Sequence, residues 1–215
     1  MTNFQNLFSP EIIAQIKAGL ERYETLQKND GFIKLASLGW YINGGMTLAH
    51  AAWLMDLAIA KKVSKINNDL IIHYNEEMKE RARAFEKGNY KRSLIIKEGI
   101  DCHLLGKYNA SVSLFLSQAD GISTGLLFKT KDKKKELKKF VAEERDNKFF
   151  GDILNVILRV NKIDEYFSKD FDSSTGLNRH AVLHGYDTDF GTELNSLKAF
   201  SLLLFVNDFL VNKKL

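Results

Sequence analysis

The chain has 215 residues, 45% of them apolar and 27% charged, with 31 Lys and Arg against 27 Asp and Glu and a net charge of +4. That balance excludes a wholly disordered protein, which lacks the apolar residues to offset the entropy of folding, and the length suits one domain. A single proline disfavours a turn-rich sandwich or barrel, and a single cysteine, Cys102, excludes an internal disulfide or a cysteine-based zinc site and suits a reducing, cytoplasmic setting.

The opening MTNFQNLFSPE has no basic region followed by an apolar run, so no signal peptide is expected. Ser9-Pro10-Glu11 then reads as a helix start, with a capping hydroxyl, a proline for the first turn and an acid for the positive end of the dipole. Ile12, Ile13, Ile16, Leu20 and Tyr23 follow at helical spacing, and the helix should end near Asn29-Asp30-Gly31. The 21 residues from Leu35 to Met55 carry no Asp, Glu, Lys or Arg. Such a length could span a bilayer, but Ser37, Asn43, Gly44, Gly45, Thr47 and His50 argue instead for two buried helices joined at Gly44-Gly45. Gly39-x4-Gly44-Gly45 lacks the Lys-Ser/Thr of a phosphate-binding loop, so nucleotide hydrolysis is not indicated.

Asp69 can cap a long helix carrying Leu70, Ile71, Tyr74, Met78 and Phe85 and ending near Gly88. His73 and Glu77 share a face of it, beside Glu76 and Glu80. A di-metal carboxylate bundle would need Glu-x-x-His pairs on two helices, and none is present, so this face reads as solvated and paired with Arg81 and Arg83. A further helix runs from about Arg92 to Leu105 and stops at Gly106. Within it Asp101-Cys102-His103 reads as a buried Cys beside a capping His, because adjacent helical residues diverge by about 100°.

Residues 108–128 are apolar and central, and Asp120 lies among Leu114, Phe115, Leu116, Ile122 and Leu126, so it needs a partner. The positive charge is local. Between Lys129 and Arg145 seven Lys and one Arg stand against four acids, while the remaining 23 basic and 23 acidic residues cancel. Lys131, Lys133, Lys134, Lys135, Lys138 and Lys139 form either a solvated helix face or a surface that tracks RNA phosphates without reading sequence. A helix over residues 149–167, a loop over 169–176, a short helix from about Leu177 to His184 and a final helix from Glu193 to Leu210 complete an all-α bundle.

The segment Leu177-Asn178-Arg179-His180-Ala181-Val182-Leu183-His184-Gly185 holds two of the five histidines. A buried Arg beside two His is costly unless paired or solvated, so Asn178, Arg179, His180 and His184 are expected to face a cleft or an interface. Arg179 and His184 lie about 140° apart on a regular helix, whereas His180 and His184 share a face. His180-x-x-x-His184 is also a two-ligand metal spacing, with Asp187 or Asp189 as a third ligand, but no Glu follows His180 as zincins require.

Arg179-His180-x-x-x-His184 resembles the Arg-x4–6-His signature of the HEPN superfamily, all-helical domains that include metal-independent ribonucleases of toxin–antitoxin, abortive-infection and other antiviral systems. The polar residue after Arg, the late position and the short helix after a loop are similar to that family. So are His103-x-x-Gly106-x-Tyr108, Ser117-Gln118-Ala119-Asp120-Gly121-Ile122 and Asn195-Ser196-Leu197-Lys198. The resemblance covers roughly residues 92–210 of a single 1–215 domain; residues 1–91 add N-terminal helices outside it.

What the resemblance implies is an endoribonuclease in which the 2′-hydroxyl of RNA is the nucleophile and a 2′,3′-cyclic phosphate is left, with no cofactor and no metal. His184 would be the general acid or base and Arg179 the phosphate clamp, with His180 and Asn178 positioning them. Asp120 is expected to face Arg179 or His184. Motifs from two chains commonly meet in one cleft in such domains, which implies a twofold homodimer, with RNA as substrate, an antitoxin or regulatory protein as a further partner, and no membrane association. The alternative from the same fold is a non-catalytic helical dimerisation or interaction module.

Overall fold

The computed structural model describes residues 9–28, 30–87, 91–125, 127, 135, 136, 138, 139, 142, 156, 163 and 176–210. Among the described residues the regular elements are eight helices and no strand: α1 (Pro10–Lys28), α2 (Gly31–Ser37), α3 (Leu48–Ile59), α4 (Val63–Lys87), α5 (Ser93–Leu104), α6 (Tyr108–Ile122), α7 (Arg179–Leu183) and α8 (Glu193–Leu210). No helix among them is long and apolar enough to cross a membrane.

α8 is the centre of the bundle. Ser196, Leu197 and every residue from Ala199 to Val206 are buried, so the helix is enclosed on all sides rather than on one stripe. It packs on α6 and α4, and α5 closes against α6 and α4. Phe200 meets Phe115 of α6 with ring centroids 5.1 Å apart and Tyr74 of α4 at 6.5 Å. A buried polar seam ties the same helices together: His103 Nδ1 lies 2.8 Å from Ser196 Oγ, His103 Nε2 lies 3.2 Å from Asn75 Oδ1, and Ser111 Oγ lies 2.7 Å from Ser196 Oγ. His103 is therefore a cross-brace rather than a cap at Gly106, and Cys102 is half-buried rather than in the core.

The uncharged stretch departs from the two-helix expectation. α2 stops at Ser37, and Gly39, at φ +82°, turns the chain into an irregular segment that runs to Thr47. Trp40, Tyr41, Ile42 and Asn43 are buried there. Buried backbone outside a helix needs outside partners, and remote side chains supply them. Tyr41 N–H donates to Ser201 Oγ at 3.3 Å, Tyr74 Oη donates to Tyr41 O, and Gly44 N–H donates to Asp208 Oδ2 at 2.9 Å. Thr47 then caps α3 by accepting from His50 N–H. α4 starts at Val63, so Asp69 lies inside it and accepts from His50 Nε2 at 2.6 Å instead of capping. On the same helix Arg81 pairs with Glu77 as its spacing suggests, and also with Asp208 at 2.9 Å.

Candidate functional site

The site is built where α7 meets the end of α6. Asn178 has extended backbone, and its Oδ1 accepts from Ala181 N–H at 2.9 Å, which starts α7. Gly185, at φ +75°, ends it, and Ala181 O accepts from Tyr186 N–H at 2.8 Å and Asp187 N–H at 3.1 Å. Five helical residues are thus held at both ends, which fixes the directions of Arg179, His180 and His184.

Arg179 points inward. It is 1% exposed, and Asn178 is 5% exposed, so neither opens onto a cleft as the sequence led us to expect. The physical reason is compensation: a buried guanidinium is tolerable when a carboxylate and carbonyls satisfy it. Arg179 Nη1 donates to Asp120 Oδ1 and Nη2 donates to Leu127 O at 3.3 Å. Asp120 is thereby the acid that meets Arg179. Burial pushes its carboxyl above the ordinary range, while the guanidinium pulls it back down.

Arg179 Nη2 also reaches His180 Nε2 at 2.9 Å. Arg has no acceptor, so Nε2 must accept, and the neutral ring carries its proton on Nδ1. Burial, then the charges of Arg179 and His184, bring the His180 pKa down to about 4, so the ring is neutral at pH 7. The His180 and His184 rings lie parallel, with centroids 6.1 Å apart. His184 itself is exposed, as is Tyr186 at 56% two residues on. The result is a polar string that begins at a buried acid, passes through a buried cation and a neutral imidazole, and ends beside an exposed imidazole.

The other sequence candidates are placed less closely. Lys135, Lys138 and Lys139 are exposed, and Lys131, Lys133 and Lys134 lie outside the described residues. Asp187 is buried and its Oδ1 accepts from Asp189 N–H at 2.9 Å. Among the described residues no group of three or more His, Cys, Asp and Glu is placed to hold a metal ion. Two neighbours carry no motif: Leu127, through its carbonyl, and Arg92, whose Nη1 donates to Gln118 Oε1 at 2.8 Å. The one sequence signal for Arg92 is a basic pair, Lys91-Arg92, opening a helix. No family model, curated protein or solved structure matches the chain.

Proposed function

We propose that the chain is a metal-independent endoribonuclease of HEPN type that acts as a homodimer on RNA. The observation that supports this best is the parallel pair of imidazoles at the outer end of the Asp120–Arg179–His180 string. Cleavage by the 2′-hydroxyl needs one group to take its proton and one to protonate the leaving 5′-oxygen, and imidazole does either near neutral pH. His184, exposed, is the proton carrier. His180, neutral and gripped through Nε2, orients it and the phosphate. Arg179 holds His180 rather than the substrate, because its guanidinium is buried in its own ion pair. One exposed imidazole per motif leaves the second proton transfer unassigned, and a twofold pairing that brings two His184 side chains into one cleft supplies it. The exposed Lys135, Lys138 and Lys139 add a phosphate-tracking surface.

The HEPN resemblance extends the proposal to a phage-defence or toxin role in the cytoplasm, restrained by an antitoxin or regulatory protein. Burial of Arg179 is the observation that favours the second reading, a non-catalytic helical dimerisation or interaction module. RNA cleavage in EDTA, compared between wild type and His184→Ala, separates the two.

A further inference from the structure

Most helical stability in a folded protein comes from packing an apolar face, and α1 packs little of its own. Among its described side chains only Leu26 is buried, while Ile12, Ile13 and Leu20 are exposed at 44%, 36% and 53%. α1 rests on α3 and α2. α3 has two apolar faces. Ala51, Leu54, Met55 and Ala58 enter the core. Leu48, Ala49, Ala52 and Trp53 recur at helical spacing on the other side and meet α1 across a cavity of about 470 Å³. Gly19 and Leu20 form the α1 wall. The cavity exists because facing positions are small: Ala49 and Ala52 on α3, and Gly19 on α1, where an added Cβ meets nothing within 4 Å. Polar groups stand toward the C-terminal end of α3. Arg22 lines the cavity, and its Nη2 donates to Asp56 Oδ2, one turn past Ala52. Lys65 Nζ lies 5.6 Å from the centroid of the Trp53 ring, and among the described residues no carboxylate pairs with it.

We propose that the cavity between α1 and α3 binds a small amphipathic acid, an unbranched apolar chain ending in a carboxylate, as in a medium-chain fatty acid. Size favours a small molecule. Such sites span roughly 300–1,000 Å³, whereas a single helical turn, roughly 11 Å across and about 5.4 Å long, already occupies about 500 Å³. A docked helix anchors over two or three turns, so this cavity does not hold one. The lining favours an apolar chain, since the walls are Leu20, Leu48, the two alanines and the Trp53 ring. Charge favours an anionic end. The guanidinium of Arg22 keeps N–H groups that Asp56 does not use, and the Lys65 ammonium lies on the ring that forms one wall. A neutral apolar molecule would leave both cations unmatched. The site lies on the N-terminal helices and does not depend on RNA or on cleavage.

The test titrates decanoate, below its micelle concentration, into the full chain and follows tryptophan emission. The chain has two tryptophans, and Trp40 is fully buried and stacked on Tyr74, so a change reports Trp53. Binding should saturate, and affinity should rise up to about fourfold per added CH₂ from octanoate to decanoate. Gly19→Leu fills the cavity at a position with free space and replaces a poor helix former. It should weaken decanoate binding roughly tenfold or more while the thermal midpoint holds or rises. Arg22→Gln should weaken decanoate roughly threefold and leave decanol unchanged, the effect of losing one exposed charge pair. Decanoate that leaves Trp53 emission unchanged, or that binds Gly19→Leu as well as wild type, would overturn the cavity as its site. Decanol that binds as tightly as decanoate would overturn the acid end. A response to phosphatidylglycerol vesicles but not to monomeric decanoate would make the occupant a lipid surface, and a lower mass by light scattering in Gly19→Leu would make it a second copy of the chain; either would overturn the proposal.

Discussion

A guanidinium has no neutral form to adopt, so burying Arg179 depends on an ionised Asp120 beside it. Removing one partner of a buried pair typically costs about 3–5 kcal/mol. Asp120→Ala should therefore lower the free energy of urea unfolding by roughly that amount. Arg179→Ala should cost less, because burial already pushes the Asp120 carboxyl up and lets it take a proton. The double variant Asp120→Leu/Arg179→Met should recover most of the loss. A near-neutral Asp120→Ala would show that the pair does not hold α7 to α6. Histidine sets the pH response. His73, His103 and His180 are all pulled below their ordinary value, mainly by burial, with His180 at about 4. Each binds its proton more readily unfolded than folded, so stability is full above the unfolded value of about 6.5 and falls as pH drops toward 4. Asp120, raised in the fold, works the other way, but among the described residues one acid opposes three histidines. The thermal midpoint should fall between pH 7 and pH 4, less steeply in His180→Ala; a flat midpoint over that range would contradict these directions.

At the scale of elements, α8 carries the core. Phe200 is fully buried between Phe115 and Tyr74, so Phe200→Ala should cost about 3–5 kcal/mol in denaturant unfolding, and a loss below 1 kcal/mol would mean the bundle can collapse around the cavity. The limits of α8 and α1 were legible because apolar runs began at Glu193 and at Ser9-Pro10-Glu11. A short helix ending at His184 was legible from the small apolar turn before Gly185, but the cap that starts it, Asn178, was not recognised as one. The segment between α2 and α3 was not legible, since the groups that satisfy its backbone, Tyr74, Ser201 and Asp208, lie on α4 and α8, far along the chain. The start of α4 was missed because Asp69 resembles a cap and its partner is His50 on α3. In the site, an acid in an apolar run announced that Asp120 needed a partner. The depth of Arg179 was hidden, because it depends on α6 lying against α7, and no local pattern encodes that packing. Arg92 stayed hidden for the same reason: nothing in its neighbourhood tells that Gln118 and Gly121 receive it.

For the whole molecule, the excess positive charge sits in one segment, and the rest of the chain is balanced. If RNA is the ligand, as proposed, its affinity should fall with salt. If two His184 side chains complete one cleft, light scattering should return about twice the 24.5 kDa chain mass at concentrations where the protein is active; an active monomer would remove the need for the pairing. The most direct measurement is the rate of RNA cleavage in excess EDTA by purified wild type and by His184→Ala. Loss of one general acid–base group typically costs ~10²–10⁴-fold. Wild type should cleave without metal and leave a 2′,3′-cyclic phosphate, and His184→Ala should lose activity by that factor with helical content intact. Cleavage abolished by EDTA, or a His184→Ala protein as fast as wild type, would contradict it.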